Sequence, residues 1–172
     1  DIIIEGNSSI AEDIGGGESL EGKGGGIYIK QSNPILQSVE IRNNYADYGA
    51  GIYCDDSDLE ISGGIIEANG YDGDEEVWSS GGGGIYIDNN AEPEIIDVEI
   101  KGNMAEYGGG IYINESTLHM SNDSEIKDNE SRESGAGIYA TSGSDLEFSD
   151  LDIKNNQIVK DNNSDSHGVG LC

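Results

Sequence analysis

Residues 49–69 read Gly-Ala-Gly-Ile-Tyr-Cys-Asp-Asp-Ser-Asp-Leu-Glu-Ile-Ser-Gly-Gly-Ile-Ile-Glu-Ala-Asn. The stretch opens on Gly-x-Gly-Ile-Tyr, closes on Ile-x-x-Asn, and holds a short Leu-Glu-Ile run between them. Each run alternates apolar and polar residues, the period of a strand, and Gly, Asp, Ser and Asn separate the runs as turn residues do.

Outward from this stretch, the pattern recurs through the whole chain of 172 residues. Gly-x-Gly-Ile-Tyr occurs five times, at Ile27, Ile52, Ile85, Ile111 and Ile138, with spacings of 25, 33, 26 and 27 residues. A degenerate sixth copy, Gly168-Val169-Gly170-Leu171-Cys172, follows after 33 more. Ile-x-x-Asn interleaves with it, ending at Asn7, Asn44, Asn69, Asn103, Asn129 and Asn156. From each repeat Ile to the Ile of the next Ile-x-x-Asn the distance is 14 or 15 residues. The middle run returns at Leu118-His119-Met120 and Leu146-Glu147-Phe148, with Pro93-Glu94-Ile95-Ile96 and Pro34-Ile35-Leu36 as looser versions. Three short strands in roughly 25 residues make one coil of a parallel β-solenoid, each strand pairing with its equivalent in the next coil. The expected fold is therefore all-β, a parallel β-helix of about six coils and three strands per coil. At about 4.8 Å per coil the rod is roughly 29 Å long.

Strand parity assigns sides. Ile27 and Ile29 point into the rod and Tyr28 points out; Val39 and Ile41 point in, Glu40 and Arg42 out. The glycines before each repeat Ile are expected at positive φ, where an L side chain is disfavoured. The repeat asparagines are expected at left-handed corners, with their side chains stacked along the rod. Cys54 takes an inward Ile position and Cys172 an outward Tyr position. They are too many coils apart to form a disulfide.

The residues at this point resemble the chlamydial polymorphic outer membrane proteins, whose passengers repeat Gly-Gly-Ala-Ile and Phe-x-x-Asn. Here the first motif stands as Gly25-Gly26-Ile27, Gly49-Ala50-Gly51-Ile52, Gly108-Gly109-Gly110-Ile111 and Gly135-Ala136-Gly137-Ile138, and the second carries Ile in place of Phe. The resemblance, shared with adhesin-like surface proteins, implies right-handed coiling and a surface or adhesive role. Residues 1–172 are expected to form a single solenoid domain, either a segment of a longer repeat protein or a subunit that stacks on its own copies.

With 35 acidic and 8 basic side chains, the net charge is −27. Such a charge argues against nucleic acid as a partner, since phosphates are neutralised by Lys and Arg, and against an anionic membrane surface. No run approaches the roughly 18 apolar residues of a membrane helix. Half the cations (Arg42, Lys101, Lys127, Lys154) share one outward position, flanked by Glu40, Glu99, Glu125 and Asp152, and read as a charge ladder.

The candidate binding surface is the outward column Tyr28, Tyr53, Tyr86, Tyr112 and Tyr139. It reads either as cross-strand support or as an uncharged aromatic strip for a polysaccharide. Insertions at Ser8 to Lys23, Gly70 to Ser80 and Gln157 to His167 fall at one corner and are expected to project from it. The middle one carries Trp78, a lid or a contact residue. Calcium is the candidate cofactor, with Asp72, Asp74, Glu75, Asp161 and Asp165 as its candidate ligands; the competing reading is solvated acidic turns, since no full calcium-loop pattern is present. Asn-x-Ser sequons mark Asn114, Asn122 and Asn162 as candidate glycosylation sites. Asn7 and Asn129 carry sequons too but belong to the repeat corner. No catalytic constellation stands out, because carboxylate pairs occur everywhere. The expected function is a non-catalytic rod at the cell surface or outside the cell, adhesive or structural. Its partners are other copies of itself or surface glycans and proteins. A carbohydrate-binding module and a polysaccharide lyase or hydrolase are the alternatives.

Overall fold

A computed structural model describes residues 2–10, 21–71, 78–141, 143–159 and 168–171. Among the described residues there is no helix, and every pairing between named strands is parallel. The chain winds as a β-helix, each strand lying on its equivalent one coil away.

The repeat Ile-Tyr run forms a five-stranded sheet from Ile27–Lys30, Ile52–Asp55, Ile85–Asp88, Ile111–Ile113 and Ile138–Ala140. Its register sets like on like: Ile27, Ile52, Ile85, Ile111 and Ile138 in one file, and the five tyrosines in the next. The middle and last runs of the coil join into a single eight-stranded sheet. In three coils they are continuous, as Ile35–Arg42, Glu60–Glu67 and Glu94–Lys101. A residue at positive φ (Ser38, Gly63 or Asp97) bends each of these strands midway. In the next two coils the turn residues Asn122, Asp123 and Asp150 break the strand outright.

The corner between the repeat Asn and the next Gly-x-Gly differs from expectation. It carries its own short strands, Ser79–Gly81, Met104–Tyr107, Glu130–Ser134 and Gln157–Ile158 in one sheet and Ser8–Ser9 with Tyr45–Ala46 in another. The described ends of the three insertions thus run within the sheets. Four of these strands turn a small residue inward: Ala46, Ser79, Ala105 and Ser131 are fully buried.

The interior is a stack of aliphatic files. Ile52, Ile85, Ile111 and Ile138 lose all exposure, as do Ile41, Ile66, Ile100 and Ile126 from the Asn-bearing strands. Each such side chain contributes about 1.5–3 kcal/mol by leaving water. Cys54 sits among them as a free, buried thiol, and burial pushes its pKa up to about 12.

Two local expectations need correction. The left-handed residue at the asparagine corner is not the asparagine but the residue before it: Gly6, Asn43, Ala68, Gly102, Asp128 and Asn155. In the Gly-x-Gly motif only the first glycine takes positive φ, for example 62° at Gly108. The second is needed for close approach: a Cβ on Gly110 would lie 2.6 Å from the Gly137 carbonyl oxygen of the next coil.

Candidate functional site

The repeat asparagines form a buried ladder. Asn103 illustrates the unit: its Nδ2 donates back to the Ile66 carbonyl (2.9 Å) and forward to Asn129 Oδ1 (3.0 Å). Its backbone N–H donates to the same Asn129 Oδ1, and its own Oδ1 accepts both donors of Asn69. The pattern runs from Asn7 through Asn44, Asn69, Asn103 and Asn129 to Asn156. Every polar atom of the central side chains is satisfied inside the rod, so this file is turned away from any ligand.

The tyrosine column does stand outward, but it is not a bare strip. Tyr28 is 47 % exposed, Tyr53 only 2 %, and Tyr86, Tyr112 and Tyr139 are half-buried. Successive ring centroids are 5.6, 5.0, 4.5 and 5.1 Å apart, with the Tyr53–Tyr86 and Tyr86–Tyr112 pairs nearly coplanar. The cover comes from the residue just before each Gly-x-Gly. Lys23 places its ammonium 4.9 Å from the Tyr53 centroid, Tyr48 meets Tyr86 edge-on at 5.5 Å, and Tyr107 tilts against Tyr139 at 5.3 Å. Gly81 occupies that file at the tightest pair; a Cβ there would come within 3.1 Å of both Tyr86 and Tyr112.

Nor is the column uncharged at its edge. Tyr53 Oη donates to Asp88 Oδ2 at 2.8 Å, and Tyr28 Oη to Asp55 Oδ2 at 3.3 Å. Burial and this carboxylate partner push the Tyr53 pKa far up, which keeps the phenol neutral. Asp55 is itself buried. Burial works against its charge, yet hydrogen bonds from Lys30 and Asn89 hold its pKa below the ordinary carboxylate value. Asp56 and Asp58, next in the same acidic turn, engage Gln31 and Asn33 of the neighbouring coil.

Trp78 is half-buried, bridges antiparallel to Tyr71, and lies under the Arg132 guanidinium at 4.4 Å from its ring centroid. Asp72, Asp74, Glu75, Asp161, Asp165 and Asn162 lie outside the described residues. Among the described residues, no group of three or more His, Cys, Asp or Glu converges in metal-binding geometry.

The charge ladder has the expected form. Lys101 pairs with Glu99 (2.7 Å) and Glu67 (3.4 Å), Lys127 with Glu125 and Glu99, and Lys154 with Glu125 at 2.6 Å. Hydrogen bonds from Lys127 and Lys154 push the Glu125 pKa down to about 2. Arg42 joins the same file through Glu40 and Glu5.

A feature that sequence reasoning missed is an open groove of about 580 Å³ at the bend of the long sheet, lined by Ser38, Ser62, Gly63, Ile96, Asp97 and Asn122. Its signal was present as Ser62-Gly63-Gly64, where two residues without side chains stand in the middle of a strand. One strand over, Glu94, His119 and Glu147 stack in register, with His119 Nδ1 3.3 Å from Glu147 Oε2.

The architecture defines a parallel β-helix, and the sequence places it further. The profile of the family described as "right handed beta helix region" matches residues 2–171, and the chain belongs to that family. No curated protein and no solved structure matches it, so the narrower likeness to chlamydial passenger repeats stays a likeness of motifs.

Proposed function

We propose that the chain is a non-catalytic, rod-like module of a surface protein, with an adhesive or structural role outside the cell. Right-handed β-helices serve both in surface proteins and in polysaccharide-degrading enzymes. The observation that carries the structural reading is where the polar side chains go. Asparagine amides, the carboxylates of Asp55 and Asp88, and the Lys–Glu file all bond from coil to coil. Such bonds stiffen a rod along its axis and leave the groups facing their neighbours in the chain. The net charge of −27 adds repulsion between laterally aligned rods.

A second reading, carbohydrate binding, draws on the exposed ring of Tyr28 and the hydroxyl-lined groove at Ser38 and Ser62. Three measurements on the purified chain separate the readings. The structural role expects rigid particles in negative stain, no retention on a glycan array, and no fragments released from acidic polysaccharides with calcium present. Glycan retention that drops on Tyr28→Ala would transfer the assignment to a binding module. Fragment release would overturn the non-catalytic reading altogether.

A further inference from the structure

Four Asn-x-Ser sequons fall among the described residues, and the fold treats their amides differently. Asn129 is fully buried and uses both Nδ2 hydrogens, donating to the Ile100 carbonyl (3.0 Å) and to Asn156 Oδ1 (2.9 Å). Asn7 extends the same ladder, its Nδ2 donating to Asn44 Oδ1 at 3.0 Å. Asn114 is half-buried, donating to Asp88 Oδ1 at 2.9 Å while its Oδ1 accepts from Thr141 at 2.6 Å. N-glycosylation replaces one of the two Nδ2 hydrogens: at Asn129 both are already bonded, and at Asn7 and Asn114 one of the two ties the side chain to the next coil.

Asn122 differs. It is exposed, as Asn7 is, but its side chain makes no hydrogen bond. It sits on the two-residue turn Asn122–Asp123, both at positive φ (56° and 60°), between strands Thr117–Ser121 and Ser124–Lys127. It also lines the groove at the sheet bend, which Gly63, two coils away, lines without a side chain. Ile96 provides an apolar patch there, with Ser62 and Asp97 offering oxygens to sugar hydroxyls.

We propose that Asn122 carries an N-linked glycan, accommodated by this corner of the rod. In the transfer, Nδ2 forms a bond to the anomeric carbon of a lipid-linked glycosyl phosphate. The anomeric C–O bond breaks, the phosphate leaves with the electron pair, and one amide proton goes to a base. The sequon hydroxyl of Ser124 is buried and donates to the Ser121 carbonyl at 2.7 Å, so transfer precedes folding of this coil. The folded rod then selects which modified chains survive: among the described sequons, Asn129 has no amide hydrogen to give up and Asn122 has no bond to lose.

The test is to secrete the chain from yeast, isolate the folded monomer, and map occupied sequons by amidase release in heavy-oxygen water. The expected result is occupancy at Asn122, none at Asn129, loss of one glycan mass in Asn122→Gln, and unchanged mass in Asn114→Gln. An unmodified Asn122 in the folded fraction, or a folded chain glycosylated at Asn129, would overturn the proposal. Site mapping of the unaltered chain decides the matter even if a variant folds poorly.

Discussion

Two files of polar side chains run the length of this rod, one rung per coil, and they differ in what surrounds them. The asparagine ladder is buried, with Asn44, Asn69, Asn103 and Asn129 at 0 % exposure. The Lys–Glu ladder lies on the surface, its lysine side chains 23–43 % exposed from Lys101 to Lys154. Both repeat in register, yet their worth is set by the alternative each group has when a partner is lost. A buried amide without its partner costs about 1–3 kcal/mol, whereas a surface ion falls back on water and salt. Repetition of a polar residue is therefore a stability signal on the inside of a solenoid and mainly a solubility signal on the outside.

The sharpest test of that contrast is Asn103→Ala. It removes the acceptor of the Asn69 backbone N–H and of one Asn69 amide hydrogen, takes the side-chain donor from the Ile66 carbonyl, and leaves Asn129 Oδ1 with the residue 103 backbone N–H alone. A loss of about 4 kcal/mol or more is expected, since several buried groups each lose a partner. Urea unfolding reads it directly, and a loss near zero would break the comparison. Next in size is Gly110→Ala. The new Cβ would stand 2.6 Å from the Gly137 oxygen and 3.1 Å from Asn129 Nδ2, forcing coils apart beside the ladder. About 1–3 kcal/mol of destabilisation is expected, measured the same way.

Tyr53→Phe probes the intermediate case, a buried ring whose hydroxyl reaches a half-buried carboxylate. Its expected cost is about 1.5 kcal/mol, the lower end for a hydrogen bond to a charged group, because Asp88 is half-buried. A cost as large as that of Asn103→Ala would show that ring cover, and not burial of the amide file, dominates coil stacking.

The smallest effect is assigned to the outer ladder. Lys127→Gln is expected to lower the urea midpoint slightly at low salt and not at all in 1 M NaCl, where the screening length is about 3 Å. The pH dependence sharpens it. Glu125 has a folded pKa of about 2 against an ordinary 4.5, a depressed value. Its contribution is complete above 4.5 and is lost as pH falls towards 2. Wild type and Glu125→Gln should therefore differ most above pH 4.5 and converge on acidification. Parallel acid curves would remove the ladder from the stability account.

Much of this was legible in the chain. The fixed spacing between Gly-x-Gly-Ile and Ile-x-x-Asn located the coils, and strand parity sent Ile52 inward and Arg42 outward. The short corner strands were not legible by alternation, because Tyr45–Ala46 and Gln157–Ile158 are two residues long. They exist because adjacent coils present matching backbones. A weaker signal was there: a small residue stands two places after the repeat Asn at Ser9, Ala46, Ala105 and Ser131. The cover over the tyrosines was also missed. Lys23, Tyr48, Gly81, Tyr107 and Ser134 share a position that carries no common chemistry, so only their stacking shows that they form one file.

The sequence by itself determined the coil period, the inner and outer files and the stacking of the asparagines. Those follow from a two-residue strand repeat and from motifs that return at constant spacing. The tertiary structure decided which outward groups meet solvent. It buried Tyr53, left Asn122 open beside a groove, and moved each left-handed corner to the residue before the asparagine. Exposure on a rod depends on the coil above and below and on the segment folded over the face. Neighbours 25 to 37 residues away supply those contacts, beyond the reach of any local pattern.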